Sequence, residues 1–261
     1  MLATPIFNGQ GLGNQLACYV TTRCLALDKG YEFGTVYPER FKGSFLKVDL
    51  GKKIKADFPV EGQPPTKLPE GMTYYLEAGD ERRGYDPNIL NIKDNTIIHG
   101  CLQGEDYFKH RKEEIKEWLN VHDNPLPEDI CIINFRGGEY VEVKDFFLPQ
   151  SYWDMAVRKM QDLVGFKRFM VVTDDVITAQ HFFPFFPIHH DMEQDWRMIN
   201  SAKYLILSNS SFAFFPAWLG KAEIVIAPKY WARYNKEYWS MEQNKVKGWK
   251  YLDKKGNLNE Y

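Results

Sequence analysis

The chain has 261 residues, of which 44% are hydrophobic and 26% charged, which excludes a disordered chain and leaves enough apolar side chains for a full core. Its formal net charge of -2 argues against broad nucleic-acid binding, so any anion site should be local. The four cysteines lack metal-ligand spacing, and no apolar run reaches the roughly 18 residues that span a bilayer. We therefore expect reduced thiols, no membrane span and a cytoplasmic location.

The first predicted element is a strand over residues 2–7, followed by a glycine-rich turn and a helix. The turn reads Gly11-Leu12-Gly13-Asn14, and the helix carries an apolar face of Leu16, Val20, Cys24 and Leu27. Exposed main-chain N–H groups and the positive end of a helix favour a phosphate here, although glycines that only let the helix pack on a sheet would give the same pattern. Asn14 replaces the third glycine of the dinucleotide fingerprint, which argues against a nicotinamide or flavin site.

The remaining elements alternate between strands and helices along the chain. Strands are predicted over residues 31–37, 96–101, 129–135, 168–173, 203–207 and 223–227, and helices over 105–119 and 151–163. This alternation favours a doubly wound α/β fold. Residues 52–72 are too rich in proline for a regular element and are predicted to form a loop, either over a substrate cleft or without function. Residues 120–128 have the composition of a linker and place a domain boundary there.

Polar and charged residues follow three of the predicted strands, at the edge where open α/β sheets bind ligands. Arg136 follows the strand over 129–135 and can offer a bidentate fork to a phosphate, or it can pair with Glu139 or Asp145. Asp174 and Asp175 end the next strand, and they could equally cap the helix that follows. Ser210 and Ser211 are placed where hydroxyls either cap a helix or bind a phosphate oxygen.

Two aromatic regions have plainer interpretations. His181, His189 and His190 lie among phenylalanines, which indicates core packing or a lid rather than a metal site. The C-terminal rings could stack on sugars, but packing of a terminal helix is the favoured interpretation. These rings are Tyr230, Trp231, Tyr234, Tyr238, Trp239 and Trp249.

Taken in order, these motifs resemble those of the alpha-1,2-fucosyltransferases and their inverting relatives over nearly the full length. The resemblance rests on a first-strand motif, a central arginine motif and a late Asn-Ser-Ser-Phe motif. In this chain they are Gly11-Leu12-Gly13-Asn14-Gln15-Leu16, Asn134-Phe135-Arg136-Gly137-Gly138-Glu139-Tyr140 and Asn209-Ser210-Ser211-Phe212. Shorter matches are Gly100-Cys101-Leu102-Gln103, Leu148-Pro149-Gln150-Ser151-Tyr152, Thr173-Asp174-Asp175 and Ile226-Ala227-Pro228-Lys229.

The resemblance implies a GT-B-like α/β fold of two Rossmann-type domains facing across a cleft. Residues 1–122 would form the acceptor-side domain, and residues 123–261 would bind the nucleotide-sugar and carry an aromatic C-terminal tail. The donor would be a GDP-sugar, with GDP-fucose the leading candidate, and no metal would be required. Donor-binding positions on this basis are Gly11, Leu12, Gly13, Asn14, Asn134, Arg136, Asp174, Asp175, Asn209, Ser210, Ser211 and Phe212.

Within that set, Arg136 would hold the β-phosphate while a glycan hydroxyl attacks the anomeric carbon with inversion. Glu139 is the candidate general base, although a role in positioning Arg136 is the favoured alternative. The central motif departs from the family pattern, since Asn134 stands in place of histidine, Gly137 in place of a second arginine and Glu139 in place of aspartate. These departures keep open a non-catalytic nucleotide- or glycan-binding protein. A phosphate-ester enzyme is disfavoured, because this chain lacks a suitable nucleophile and metal set.

Overall fold

The computed structural model describes residues 1–77, 85–120, 125–165, 168–237 and 245–261. These residues divide into two compact units, one formed by residues 1–120 and the other by residues 125–261. Both units are built on largely parallel sheets, which confirms the α/β class. The predicted boundary between residues 122 and 123 lies outside the described residues, and the facing of two domains across a cleft stays a prediction.

Unit 1 contains a five-stranded sheet in the order β3-β2-β1-β5-β4. Its strands are β1 (Leu2–Pro5), β2 (Phe33–Val36), β3 (Lys52–Ile54), β4 (Thr73–Leu76) and β5 (Thr96–His99), and all pairs are parallel. Its helices are α1 (Leu12–Lys29) and α2 (Lys112–Trp118). The predicted apolar face of α1 is buried at Leu16, Val20 and Cys24, but Leu27 is 45% exposed, so the prediction was wrong at that residue.

Unit 2 contains a seven-stranded sheet in the order β12-β11-β10-β9-β6-β7-β8. The strands are β6 (Ile130–Phe135), β7 (Arg168–Thr173), β8 (Ile188–His189), β9 (Tyr204–Leu207), β10 (Ile224–Pro228), β11 (Lys250–Leu252) and β12 (Leu258–Asn259). The helices are α3 (Gln150–Val164), α4 (Val176–Phe182), α5 (Met192–Ser201) and α6 (Phe214–Leu219).

Strand β6 shows why this sheet is covered on both faces. Its alternate residues Cys131, Ile133 and Phe135 pack in one apolar cluster with α3 and α4, while Ile130 and Ile132 pack in a second with α5 and α6. Because side chains alternate along a strand, a strand that carries apolar side chains on both faces needs helices on both sides. The doubly wound arrangement predicted from the alternation along the chain is thus present in unit 2.

Three predictions about local structure were wrong. Residues 105–119 form short 3-10 turns followed by α2 rather than one helix, and Lys52–Ile54 in the proline-rich segment forms β3. The C-terminal rings do not lie on a terminal helix, because the described part of this region forms a 3-10 turn at Tyr234–Lys236 and the pair β11 and β12. Tyr238 and Trp239 lie outside the described residues, as do residues 121–124 of the predicted linker.

Candidate functional site

The candidate site lies at the carboxyl edge of the unit 2 sheet. Strands β7, β6 and β9 are neighbours and run parallel, so their carboxyl ends meet at one edge. This edge therefore gathers three motifs that are far apart in sequence. They begin at Asp174 after β7, at Arg136 after β6 and at Ser208 after β9. The sequence predicted each strand end, and parallel pairing brings the ends together.

Arg136 is held by two carboxylates. Its guanidinium donates from Nη1 to Asp174 Oδ2 and from Nη2 to Glu139 Oε1, the latter at 2.8 Å. The Tyr140 ring lies under the guanidinium, 5.0 Å from Cζ to the ring centroid. The Arg136 side chain keeps 25% of its surface exposed. It is therefore oriented and still accessible to an anion, as a preorganised donor should be.

The two carboxylates that the sequence offered as partners of Arg136 have different roles. Glu139 forms the predicted ion pair, and its side chain is 76% exposed. Asp145 instead accepts from Nε of Arg233 at 2.7 Å. The structure thus shows Glu139 in the positioning contact that was the alternative to a general base.

Asp174 and Asp175 both make hydrogen bonds within the protein. Asp174 accepts from Arg136 and also from the N–H of Gly137 at 2.9 Å. Asp175 is the N-cap of α4 and accepts from the N–H and hydroxyl of Thr178, at 3.1 and 2.6 Å. The hydrogen bond from the Thr178 hydroxyl is the largest cause that lowers the pKa of Asp175 below its usual value. Capping, the alternative stated from sequence, is what the structure shows for Asp175.

The surroundings of Gly137 leave no room for the second arginine that the resembling family has at this position. A Cβ at this position would lie 2.6 Å from Cβ of Asp175, a separation that real Cβ atoms essentially never show. Asp175 itself is fixed by its cap on α4. A side chain at residue 137 would therefore displace the end of β7 from the end of β6.

The buried polar residues at the ends of β6 and β9 are mostly occupied by structural hydrogen bonds. Asn134, which is 5% exposed, accepts from the Ser208 hydroxyl at 2.9 Å and so ties the end of β6 to the end of β9. Asn209, 1% exposed, donates from Nδ2 to the carbonyls of Phe146 and Trp231 at 2.7 and 2.5 Å. Both asparagines hold the edge of the sheet together and have little surface left for a ligand.

Ser210, Ser211 and Phe212 are half-buried and form the turn that leads into α6. The Ser210 hydroxyl accepts from the N–H of Phe212 at 3.4 Å, a long cap on this turn. The Phe212 ring packs edge-on against Trp196, 5.9 Å between centroids. The hydroxyls of this turn are the part of the late motif that stays accessible at the sheet edge.

The first motif belongs to unit 1 and forms the start of α1. Gly11 is the exposed N-cap of this helix, and Asn14 Oδ1 accepts from Gln103 Nε2 at 2.6 Å. Gln15, which the sequence did not single out as a site residue, is fully buried and makes three hydrogen bonds that fix the loop. It donates to the carbonyls of Phe7 and Arg40 at 2.9 and 3.1 Å and accepts from the N–H of Lys42 at 2.9 Å.

Two histidines at the end of β8 have polar partners that sequence reasoning missed. His189 Nδ1 lies 2.5 Å from Oδ1 of Asp195, and His190 Nδ1 lies 2.7 Å from the Thr173 carbonyl. Asp195 is buried, and this burial raises the pKa of its carboxyl. No spacing in the sequence marks these pairs. The neighbouring Phe182, Phe183 and Phe186 pack on the core as predicted, whereas Phe185 is 93% exposed.

Two further findings concern the described residues alone. Among them, no cluster of three or more His, Cys, Asp or Glu side chains has the geometry to hold a metal ion. Within the same ranges, none of the helices combines the length and the apolar character that crossing a bilayer requires.

The relatives found by sequence comparison match different shares of the chain. No protein-family model matches. The chain is 26% identical to an alpha-1,2-colitosyltransferase of Escherichia coli over 262 positions, covering 85% of this chain and 89% of that protein. It is 28% identical over 114 residues to the O-antigen biosynthesis glycosyltransferase WbnK of Escherichia coli, a match that covers 38% of each chain.

Solved structures show a distant likeness. The E. coli heptosyltransferase WaaC with ADP aligns with a TM-score of 0.46 and 11% identity, over 88% of each chain. The NodZ alpha-1,6-fucosyltransferase co-crystallised with GDP aligns with a TM-score of 0.46 and 14% identity, over 98% of this chain and 97% of that one. The resemblance read from the motifs is confirmed by the sequence relatives: this chain is a relative of bacterial glycosyltransferases.

Proposed function

We propose that this protein is an inverting glycosyltransferase that moves a sugar from a GDP-sugar, with GDP-fucose as the leading donor, to a hydroxyl of a glycan. The observation that carries the proposal is the preorganised Arg136 at the junction of three parallel strand ends. The alpha-1,2-colitosyltransferase relative supports it, because that protein is named for transfer of a sugar.

The chemistry places the main demand on the leaving group. As the acceptor hydroxyl attacks the anomeric carbon, negative charge builds on the β-phosphate of the nucleoside diphosphate, and fixed donors must stabilise it. In this proposal Arg136 binds that phosphate, and the Ser210 and Ser211 hydroxyls and the Phe212 amide contact the phosphate or the sugar. Asp174 and Asp175 lie towards the nucleoside, and Asn134 and Asn209 shape the site. No step requires a metal ion.

Glu139 stays the proposed general base. Its carboxylate pairs with Arg136 at 2.8 Å. A phosphate bound to Arg136 would compete for the same guanidinium, and the exposed Glu139 side chain would then be available to a hydroxyl. Replacement of Glu139 by Gln separates the two roles, because Gln can still accept a hydrogen bond from Arg136 but cannot take a proton.

Unit 1 is the proposed acceptor side, and its Gly11, Leu12, Gly13 and Asn14 segment is the proposed second approach to the donor. The exposed Gly11 and the half-buried Asn14 at the start of α1 support this. We also propose a cytoplasmic location, which is supported by the four cysteines being thiols and not disulfides.

The first test is a thermal-shift panel with GDP, UDP, ADP, CDP and NAD and with GDP-fucose and GDP-activated colitose, with and without magnesium. A ligand at 100 times its Kd adds about 2.7 kcal/mol, enough for a measurable change in Tm. Selective stabilisation by GDP and one GDP-sugar, equal with and without magnesium, is the expected result. A response to UDP or NAD alone would contradict the donor class.

The second test measures sugar transfer by variants of two arginines. Arg136→Ala should lower kcat by roughly 10²-fold or more, the scale seen when one preorganised donor is lost. Arg168→Ala is the matched control, because Arg168 also pairs with a carboxylate but begins β7 and so lies at the opposite edge of the sheet. A folded Arg136→Ala protein with the rate of the Arg168→Ala control would refute the role of Arg136.

A second candidate, a nucleotide- or glycan-binding protein without turnover, is favoured by the departures at Asn134 and Gly137. Asn134 is buried against Ser208, and unlike the histidine of the resembling family it has no ring nitrogen to offer a substrate. Stabilisation by a GDP-sugar without either donor hydrolysis or transfer to any oligosaccharide would favour this candidate over the transferase.

A further inference from the structure

The loop between β1 and α1 holds an internal anion. Two successive main-chain N–H groups, those of Asn8 and Gly9, donate to Oε1 and Oε2 of Glu61 at 2.9 and 2.7 Å. Glu61 lies more than 50 residues away along the chain, as the separations of 53 and 52 show. Successive N–H groups that converge on one oxyanion are a recurrent way for a backbone to bind phosphate or carboxylate.

The surroundings of this loop favour an anion beyond those two bonds. Nη1 of Arg40 lies 3.8 Å from Glu61 Oε1, and Nζ of Lys42 donates to the Gln10 carbonyl at 2.6 Å. Helix α1 begins at the next residues with no acidic side chain in its first turn and no side-chain cap. The positive helix end thus lacks a carboxylate from its own helix.

Gly9 is what lets the oxyanion approach so closely. A Cβ at this position would lie 2.6 Å from Oε2 of Glu61. Asn8 and Gly9 are exposed, and the Glu61 side chain keeps 39% of its surface exposed, so the carboxylate is held at the surface of unit 1 and not in its core. An external oxyanion could reach the same N–H groups once Glu61 moves.

The segment that carries Glu61 is anchored at its base. Phe58 is 6% exposed and packs in the apolar cluster with Phe7, while Asp57 and Lys67 form an isolated antiparallel bridge. Residues 60–63 form the turn beyond this base, and Val60 in it is 49% exposed. Release of Glu61 therefore needs movement of this turn alone.

We propose that the Asn8 and Gly9 N–H groups with Arg40 form an anion-binding site of unit 1, which Glu61 occupies as an internal ligand until a phosphate or diphosphate group displaces it. The Gly11 to Asn14 segment, proposed to approach the donor, follows this loop at the start of α1, so a donor diphosphate at this site rests on the proposed function. The site itself uses none of the residues at the carboxyl edge of the unit 2 sheet. The diphosphate could be that of the nucleotide donor or one carried by an acceptor, and both have the chemistry that the site recognises.

The test titrates inorganic pyrophosphate into protein that carries Arg136→Ala, so that the proposed donor site does not contribute. Glu61→Gln removes the competing charge and should raise pyrophosphate affinity about tenfold over the Arg136→Ala parent. Glu32→Gln is the matched control, because Glu32 is an exposed carboxylate paired with Lys52 at 2.6 Å. Adding Arg40→Gln to the Glu61→Gln protein should abolish the gain. Equal affinities in the Glu61→Gln and Glu32→Gln proteins would overturn the proposal.

Hydrogen exchange on protein with Arg136 intact then identifies the source of the diphosphate. Pyrophosphate should keep the Asn8 and Gly9 amides protected while exchange at residues 60–63 speeds up. The same response to GDP assigns the site to the donor, and a response to a short alkyl diphosphate on top of saturating GDP assigns it to an acceptor. The proposal is overturned if none of pyrophosphate, GDP and the alkyl diphosphate changes exchange at residues 60–63. That outcome says nothing against Arg136, whose role is tested separately by the activity assays.

Discussion

Replacing Gly137 by alanine is expected to destabilise unit 2. The added methyl group would lie 2.6 Å from Cβ and 2.9 Å from Oδ2 of Asp175. Asp175 cannot simply turn away, because its carboxylate caps α4 through two hydrogen bonds to Thr178. The ends of β6 and β7 must therefore separate, or the cap must break.

The magnitude follows from those two costs. Overpacking by one methyl typically costs about 1–3 kcal/mol, and loss of an aspartate N-cap costs about 1 kcal/mol. Because either route relieves the clash, we expect the free energy of unfolding to fall by about 1–3 kcal/mol, which lowers Tm by a few degrees in a protein of this size.

Urea unfolding followed by circular dichroism, with thermal melts in parallel, measures the change. Gly11→Ala is the control, because nothing lies within 4 Å of a Cβ at Gly11 and its φ of -67° suits any residue. That variant should lose no more than about 1 kcal/mol, the scale of a change at an N-cap. A Gly137→Ala protein as stable as the Gly11→Ala control would refute the steric account of this glycine.

Three further outcomes are expected. Burial lowers the pKa of His99 below its usual value of 6.5, so the unfolded chain binds a proton at a higher pH than the folded protein does. The free energy of unfolding should therefore fall as the pH drops below 6.5. His99→Gln should reduce this pH dependence in urea titrations at about pH 5–7, and an unchanged dependence would contradict the assignment. Tyr152→Phe removes the buried hydroxyl that donates to the Leu207 carbonyl at 2.6 Å. The free energy of unfolding should fall by about 1–3 kcal/mol in the same assay. A decrease below about 0.5 kcal/mol would contradict this role of the hydroxyl. With a thiol reagent at pH 8, half-buried Cys101 should react first in the native protein, because the other three thiols are buried. Burial also raises the pKa of Cys18 and Cys24 to about 12, so few of these thiols are ionised. Rapid reaction of all four thiols before unfolding would contradict this order.

The central strands could be predicted from sequence because they are apolar through most of their length. The prediction for β7 matches its bounds, and that for β6 begins one residue early. The strands at the sheet edges were missed for the opposite reason. In β3 the residues are exposed or half-buried, and β12 has 2 residues, so neither leaves an apolar run or a regular alternation in the sequence.

The helix predicted over residues 105–119 failed because local sequence does not reveal where backbone geometry changes. Phe108 has φ -143° and ψ -4°, which ends one 3-10 turn and begins the next, yet no glycine or proline marks it. Its fully buried side chain shows the reason, since packing in the core overrides the helical propensity of the neighbouring residues.

For the candidate site, sequence predicts which residues reach the sheet edge but not which partner each one takes. Arg136 had two nearby carboxylates as alternatives, and Asp174, 38 residues away, proved to be its additional partner. The pairing depends on the register between β6 and β7, in which Phe135 lies opposite Thr173. A single sequence carries no signal of that register.

The strand order of unit 2 also has a consequence during synthesis of the chain. Strand β6 lies between β7 and β9, so its second edge closes only after residues 136–203 have left the ribosome and β9 follows. Until then a strand that is apolar at every residue but Asn134 has one open edge, the kind of surface on which unfinished chains pair with each other. Slower translation should prolong this vulnerable interval, and chaperones that cover apolar strands should raise the yield of folded protein.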